Sequence, residues 1–155
     1  MRFFFAMKKV LMVCLGNICR SPLAQGILES KVNPDLVYVD SAGTAGYHVG
    51  EPPDSRSIKV GLKNGVNITH QTSRKFSVDD FNAFDVIYAM DSRNYKNILK
   101  LARNSEDREK VKMILNEVNP NGNKSVPDPY YGGLRGFDNV YQMLDEACEI
   151  ILNKL

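Results

Sequence analysis

The stretch KKVLMVCLGNICRSPLAQGILESKV, residues 8–32, contains two apolar segments that are separated by a short loop with two cysteines. Residues 8–14 begin with two lysines and continue as a short apolar run, which is typical of a buried strand. Residues 21–32 carry apolar side chains at helical spacing, with Ser21 as the predicted N-cap and Pro22 at the first helical position. The stretch therefore predicts a strand, a loop and a helix that starts directly after the loop.

Strands and helices alternate along the rest of the chain. The predicted strands are residues 8–14, 36–43, 84–90 and 110–115, and the predicted helices are residues 21–32, 54–65, 91–102 and 137–155. A long polar loop with several prolines and glycines, residues 119–136, precedes the last helix. This order predicts an α/β fold with three layers, in which a four-stranded parallel sheet has helices on both faces. Ligands bind beyond the carboxyl ends of such strands, so the first loop lies at a binding edge if its strand is central.

The composition is typical of one soluble globular domain: 155 residues, of which 43% are hydrophobic and 25% charged. We expect a single domain over residues 1–155, in which residues 1–7 are a short extension before the first strand. The net charge of +2, mixed along the chain, gives no indication of a nucleic-acid or membrane partner. Three cysteines are too few for a disulfide framework, and no apolar segment approaches the ~20 residues that span a bilayer. The expected location is therefore the reducing cytoplasm.

The loop CLGNICR, residues 14–20, has the composition of an anion-binding turn. Gly16 is free to take a left-handed conformation and Asn17 tolerates one, so successive backbone N–H groups can point inward as a nest. The helix that follows adds the positive end of its dipole. Arg20 supplies a planar fork that fits two oxygens of a tetrahedral oxyanion. Any anion preference of this chain is therefore expected at this loop.

Cys14 opens the loop, where the positive field favours its thiolate form. A thiolate held against a phosphate cradle is placed for in-line attack on phosphorus, and Ser21 is placed to donate a hydrogen bond to it. Other readings exist: a cysteine at a strand end is commonly a core residue, and Cys14, Cys19, His48 and His70 are a possible zinc set. No second cysteine pair or close histidine pair supports zinc, and the Gly-Lys-Ser/Thr ending of a nucleoside-triphosphate loop is absent. Together the residues favour an oxyanion-handling nucleophile.

CLGNICRSP resembles the C-x5-R signature of the low-molecular-weight protein tyrosine phosphatases, and the similarity runs from about Lys8 onward. Further similar stretches are SAGT at 41–44, GYHVGEPPDSRS at 46–57, AMD at 89–91 and DPYYGG at 128–133. The resemblance implies hydrolysis of phosphotyrosine in proteins and of aryl phosphates, through a cysteinyl-phosphate intermediate and without a cofactor or metal. It also implies that phosphate and other oxyanions bind in the loop.

The resemblance assigns a role to particular residues. Cys14 is the nucleophile, Arg20 binds the phosphate and Asp128 is the general acid and base. Pro129 biases Asp128 to an extended conformation and so partly sets its direction, although an Asp-Pro pair alone reads as a simple turn. The backbone amides of the cradle are those of Leu15, Gly16, Asn17, Ile18, Cys19 and Arg20.

The resemblance also implies supporting roles around these groups. The walls of the substrate cleft are Tyr47, Tyr130 and Tyr131, and the hydrogen-bonding network that supports the loop is Asn17, Ser21, Ser41 and His70. Adjacent tyrosines and a single histidine are also common as packing residues. Cys19 can trap an oxidised Cys14 as a reversible disulfide, or it can simply pack under the loop. Cys148, on the apolar stripe of the last helix, is expected in the core.

Rival functions remain open from the sequence. Thioredoxin-linked arsenate reductases of related fold use two further cysteines in the second half of the chain, where this sequence has only Cys148. Phosphoarginine phosphatases tend to carry threonine at the position of Ile18, whose branched apolar side chain favours an aromatic ring over a guanidinium. A non-enzymatic phosphate-binding module is the third rival, and it needs neither Cys14 nor Asp128.

Overall fold

The computed structural model describes residues 7–131 and 133–155, without the side chains of residues 131 and 134. Residues 1–6 of the predicted extension lie outside the described residues. The strands are β1 Lys8–Cys14, β2 Val37–Gly43, β3 Val86–Ala89 and β4 Val111–Met113. The α-helices are α1 Arg20–Lys31, α2 Ser55–Lys63, α3 Asp80–Ala83, α4 Ser92–Leu99, α5 Ser105–Lys110 and α6 Gly133–Lys154, and short 3-10 helices cover Ile114–Glu117 and Pro129–Tyr131.

The four strands form one parallel sheet in the order β2-β1-β3-β4, which confirms the predicted fold class. β1 is central, with Cys14 beside Gly43 of β2 and Val13 beside Ala89 of β3. The chain leaves β1 towards β2 and later returns to β3 on the other side, so the strand order changes direction at β1. The loop after β1 therefore lies at the switch point where ligands of such folds bind.

Side chains of β1 alternate between two apolar layers. Val10 and Met12 pack into the layer beneath α1, α2 and α6, whereas Leu11 and Val13 pack into the layer beneath α3 and α4. All four side chains are fully buried, so the central strand is covered on both faces. The predicted three-layer arrangement is confirmed.

The start of α1 differs from the prediction. The helix begins at Arg20 with Cys19 as its N-cap, two positions before the predicted cap at Ser21. The hydroxyl of Ser21 lies 3.0 Å from Cys14 Sγ and accepts a hydrogen bond from Asn17 Nδ2 at 2.8 Å. Ser21 therefore bonds back into the loop and does not cap the helix.

Two short helices, α3 and α5, and the first turn of α6 were not predicted. Helices of four and six residues are too short to show apolar periodicity, although Asn104 caps α5 by accepting a hydrogen bond from Asp107 N at 2.9 Å. α6 begins at Gly133, whereas the predicted helix begins at residue 137. The prediction missed this first turn because glycines 133 and 136 are typical of loops.

Helix α6 is 22 residues long and closes one face of the sheet. Its buried residues are Phe137, Val140, Tyr141, Leu144, Ala147, Cys148 and Ile151. Cys148 is therefore a core residue, as predicted. Among residues 7–131 and 133–155, no helix is both long and apolar enough to cross a bilayer.

The end of β2 approaches the loop after β1 so closely that only glycine fits there. A Cβ on Gly43 would lie 2.7 Å from the carbonyl oxygen of Leu15 and 3.1 Å from the nitrogen of Asn17. Both are backbone atoms of the loop, so they cannot move aside without a change in the loop itself. The absence of a side chain at Gly43 therefore allows β2 to support the loop.

We predict that Gly43→Ala destabilises the protein by about 1–3 kcal/mol, the usual cost of overpacking. Urea unfolding monitored by circular dichroism measures this change. Gly46→Ala is the matched control, because a Cβ there meets its nearest atom, Lys75 Cδ, at an ordinary 3.6 Å. Equal stabilities of the two variants would contradict the prediction.

Candidate active site

The loop of residues 14–20, called here the Cys14 loop, turns its carbonyl oxygens outward. Four of them accept hydrogen bonds from surrounding segments: Cys14 O from Thr44 N (2.9 Å), Leu15 O from Ala45 N (2.9 Å), Gly16 O from Ser73 Oγ (3.0 Å) and Ile18 O from Asp54 N (2.7 Å). In a planar trans peptide the N–H points opposite to the C=O. The amides that follow these carbonyls therefore point into the concave side of the loop, which makes an anion-binding nest.

The sulfur of Cys14 lies on this concave side. Asn17 N donates a hydrogen bond to Cys14 Sγ at 3.2 Å, and Ser21 Oγ lies 3.0 Å from the same sulfur. Because Asn17 Nδ2 donates to Ser21 Oγ, the proton of the Ser21 hydroxyl is available for the sulfur. Cys14 is only 3% exposed, so a reacting group reaches it only from the mouth of the loop.

Arg20 is buried and anchored at one nitrogen. Its Nη1 donates to Asp91 Oδ2 at 2.6 Å and to the carbonyl oxygen of Val126 at 3.0 Å. The Nε–Nη2 edge of the guanidinium is then the edge that can receive two oxygens of an oxyanion. Burial lowers the pKa of Arg20, but the negative charges of Cys14, Asp91 and Asp128 outweigh it and raise that pKa above its ordinary value.

Asp91 is a site residue that the sequence analysis placed in the similar stretch AMD and at the start of the helix predicted over residues 91–102, where an aspartate is typical of an N-cap. Its Oδ1 accepts a hydrogen bond from Asn94 N at 2.7 Å, so it does cap α4. Its Oδ2 holds the guanidinium of Arg20. The Asp91 carboxylate thus connects the segment after β3 to the Cys14 loop. The sequence indicates only its capping role, and nothing in the local pattern indicates its contact with Arg20.

Asn17 supports the loop through its carboxamide. The residue has a left-handed backbone with φ 58°, as its sequence position suggested. Its Nδ2 donates to Ser21 Oγ at 2.8 Å and to Ser41 Oγ at 2.9 Å, and its Oδ1 accepts from Arg74 N at 3.0 Å. The structure thus brings Asn17, Ser21 and Ser41 together in one buried network.

His70, which the sequence analysis placed in this network, contacts only its outer end. Ser41 Oγ donates to Gln25 Oε1 at 2.6 Å, and Gln25 Nε2 donates to Glu29 Oε1 at 2.6 Å. The side chain of His70 is 60% exposed, with Nε2 4.0 Å from Glu29 Oε2. The structure therefore places His70 apart from Asn17, Ser21 and Ser41, and Gln25 is the residue that bonds to Ser41. Gln25 lies one helical turn after Ser21, and this spacing was its only signal in the sequence.

The turn around Tyr47 is the first of the two predicted cleft walls. Ala45 N bonds to Leu15 O, and the ring of His48 packs on Gly16, where a Cβ would lie 2.9 Å from His48 Cδ2. The turn therefore runs along the Cys14 loop. The Tyr47 side chain is 79% exposed, so it is available to a ligand at the rim.

The segment around Asp128 is the second predicted wall. Asp128 is exposed, and its Oδ1 accepts a hydrogen bond from Tyr130 N at 3.0 Å. Its charge raises the pKa values of both Arg20 and Cys19, so the carboxylate lies within electrostatic range of the Cys14 loop. The Tyr130 side chain is 58% exposed, whereas the side chain of Tyr131 lies outside the described residues.

The remaining loop side chains differ in burial. Burial, together with the nearby charges of Asp54 and Cys14, raises the pKa of the Cys19 thiol to about 12. Cys19 therefore stays protonated at neutral pH and is free, as is Cys14. Ile18 is half-buried and packs against the core, and Leu15 is 37% exposed at the rim.

Comparison with known proteins places this site in a family. The family model described as low molecular weight phosphotyrosine protein phosphatase matches residues 9–155. A putative low molecular weight protein-tyrosine-phosphatase of Synechocystis is 43% identical over 151 residues, with 95% of this chain and 96% of the relative covered. The low molecular weight phosphotyrosine protein phosphatase of Schizosaccharomyces pombe is 43% identical over 152 residues, with the same coverage of 95% and 96%.

Solved structures agree with this assignment. A protein tyrosine phosphatase from Entamoeba histolytica, with Hepes in its active site, superposes with a TM-score of 0.88 at 38% identity, covering 95% of this chain and 96% of that one. Vibrio vulnificus Wzb in complex with benzylphosphonate gives a TM-score of 0.85 at 29% identity, covering 97% and 100%. With its Cys14 loop and parallel sheet, this chain belongs to the low molecular weight phosphotyrosine protein phosphatase family.

Proposed function

We propose that this chain hydrolyses phosphotyrosine in proteins, and small aryl phosphates, through a cysteinyl-phosphate intermediate. The observation that carries the proposal is the position of Cys14 Sγ. This sulfur accepts a hydrogen bond from Asn17 N at 3.2 Å, inside a loop whose N–H groups point inward. A buried arginine, Arg20, completes the cradle. A phosphate-binding module needs such a cradle but has no use for a nucleophile at its centre.

In the first step, the loop amides and the Nε–Nη2 edge of Arg20 hold the three terminal oxygens of the phosphate. Cys14 Sγ attacks phosphorus in line, so the S–P bond forms as the bond to the phenolic oxygen breaks. Asp128 donates its proton to the departing oxygen, and tyrosine leaves as a neutral phenol. The amides and the guanidinium stabilise the charge that develops on the equatorial oxygens.

In the second step, water attacks the phosphorus of the cysteinyl-phosphate. The Asp128 carboxylate takes a proton from this water, the S–P bond breaks, and inorganic phosphate is released. The leaving thiolate accepts hydrogen bonds from Asn17 N and the Ser21 hydroxyl, which stabilise its charge. Asp128 has then recovered its proton and the next cycle can begin.

The substrate class follows from the walls of the cleft. We assign Tyr47, Tyr130 and Tyr131 to the walls that flank the ring of the substrate. The complex of the Vibrio relative with benzylphosphonate, an aryl compound with a tetrahedral oxyanion, supports an aryl group at this position. An apolar Ile18 disfavours a guanidinium, which argues against the phosphoarginine alternative.

The setting and the redox chemistry are further parts of this proposal. Residues 1–155 act as one domain in the cytoplasm, with residues 1–7 as a short extension, and the partners are phosphotyrosine-containing proteins. A reducing compartment keeps Cys14 and Cys19 as free thiols. When peroxide oxidises Cys14 to a sulfenic acid, the thiol of Cys19 displaces its oxygen as water, and the resulting disulfide protects the nucleophile.

We predict that Cys14→Ser lowers turnover of p-nitrophenyl phosphate by more than about 1,000-fold, the scale expected for loss of a nucleophile. Binding of inorganic phosphate, measured by isothermal titration calorimetry, stays within a few-fold of wild type because the loop remains. The assays contain excess EDTA. If wild type and Cys14→Ser are equally inactive and both still bind phosphate, the protein is a phosphate-binding module and not an enzyme.

We predict that Asp128→Ala slows hydrolysis of aryl phosphates with poor leaving groups by about 100-fold or more, the contribution of a general acid. Activated leaving groups are slowed much less, because they depart without a proton. A series of substituted phenyl phosphates measures the difference. Asp35→Ala, at an exposed residue on the turn before β2, is the control. Uniform slowing across the series would argue against Asp128 as the acid.

A further inference from the structure

The first turn of α2 is attached to the outer side of the Cys14 loop. Asp54 N donates a hydrogen bond to the carbonyl oxygen of Ile18 at 2.7 Å. Three residues later, Ser57 Oγ donates to the carbonyl oxygen of Cys19 at 3.4 Å. The start of this helix therefore has a fixed position relative to the loop.

The carboxylate of Asp54 holds the side chain of Arg56 in one direction. Oδ1 accepts hydrogen bonds from Arg56 N at 2.8 Å and from Arg56 Nε at 3.0 Å, and Oδ2 accepts one from Nη2 at 2.9 Å. The side-chain hydrogen bonds from Arg56 lower the pKa of Asp54, so the carboxylate is ionised at neutral pH. A guanidinium held along one edge in this way has little freedom to rotate.

The face of that guanidinium lies against two aromatic rings. Arg56 Cζ is 4.8 Å from the ring centroid of Phe137 and 5.0 Å from that of Tyr130. Both distances are within the range of cation–π contacts. Phe137 is 1% exposed and belongs to the core, whereas Tyr130 is at the surface, on the segment around Asp128. Arg56 thus connects a fixed ring to a surface ring.

The position of Tyr130 in turn affects the direction of the Asp128 carboxylate. Tyr130 N donates to Asp128 Oδ1 at 3.0 Å, so the two residues form a closed turn around Pro129. The prolines on either side of Asp128 restrict its backbone. A displacement of the Tyr130 backbone therefore moves the carboxylate as well, and the contact of the Tyr130 ring with Arg56 restrains that backbone.

We propose that Arg56, held by Asp54, is a positioning residue that keeps the Asp128 segment over the Cys14 loop in the geometry for proton transfer. The route runs from the outer side of the Cys14 loop through Asp54 and Arg56 to Tyr130, and these three residues contribute no amide to the phosphate cradle. The proposal rests on the proposed function in one respect only, the role of Asp128 as the acid. A misplacement of about 1 Å can cost ~100-fold in rate, so a partial loss of this contact is measurable.

The kinetic test compares Arg56→Gln and Asp54→Asn with wild type on the series of substituted phenyl phosphates. Asparagine is also a good N-cap, so Asp54→Asn keeps the helix start while it weakens the hold on Arg56. We expect kcat/KM for substrates with poor leaving groups to fall about 10-fold, which is less than the ~100-fold cost of a full misplacement. For substrates with good leaving groups, we expect kcat/KM to fall less than about 3-fold. Inorganic phosphate binds within about 2-fold of wild type. The double variant is no slower than the slower single variant, because both changes break one connection.

Arg56→Lys and Arg108→Gln complete the set. Lysine keeps the charge but lacks the fork, so Arg56→Lys is expected to behave like Arg56→Gln. Arg108, an exposed arginine of α5, is the control for loss of a positive charge, and its variant is expected to match wild type. Uniform slowing of all substrates by Arg56→Gln, or a parallel loss of phosphate binding, would overturn the proposal. Full activity of Arg56→Lys would also overturn it, because charge alone would then suffice.

Hydrogen exchange supplies a readout that does not depend on catalysis. We expect the peptide that spans residues 126–133 to exchange faster in Arg56→Gln and Asp54→Asn than in wild type, while peptides from β1 are unchanged. Unchanged exchange at residues 126–133 would overturn the positioning role even if activity falls. A wild-type protein without phosphatase activity would instead refute the proposed function, and exchange would still decide whether Arg56 holds the segment.

Discussion

The geometry of the site depends on the carboxamide of Asn17. A non-glycine residue with φ 58° is retained only where its surroundings hold it. Here the carboxamide bonds to two serine hydroxyls and one backbone amide, which come from α1, β2 and the segment around Arg74. The turn at Asn17 directs the following amides inward, and its own amide reaches the sulfur of Cys14. The nucleophile, the anion nest and the helix start are therefore aligned by one side chain.

Opposite charges connect this loop to the rest of the sheet edge. Arg20 is buried at the loop and forms a salt bridge with Asp91, which lies just after β3. The second contact of Arg20, with the carbonyl oxygen of Val126, lies just before the segment that carries Asp128. The guanidinium of Arg20 thus bonds both to the edge of the sheet and to the residue that precedes the Asp128 segment. A buried charge with defined partners on one edge keeps the opposite edge oriented for an oxyanion.

The parts of the fold and site that follow from local patterns were predictable from the sequence. The strand, loop and helix around Cys14 show apolar periodicity, loop residues and a helix start within 25 residues, and the resemblance then supplied Asp128. Contacts between distant segments were not predictable in this way. Asp91 read as a cap because capping has a local signal, whereas its bond to Arg20 has none. His70 was assigned to the network by the resemblance, yet the residue that bonds to Ser41 is Gln25, which α1 directs towards it. The Cys19 cap was missed because Ser21 is the better capping residue by type but bonds to the loop.

The central place of β1 has a consequence for biosynthesis. β1 leaves the ribosome first, but its neighbour β3 begins at Val86, and α6, which covers the same face as α1, ends at Lys154. A parallel sheet cannot close by local hairpins, so the first strand waits for partners from the far half of the chain. The Cys14 loop is synthesised long before Asp91 and Val126 are present to anchor Arg20. A nascent chain therefore carries Cys14 before Arg20 has its anchors, and the site can form only after these later segments have been synthesised.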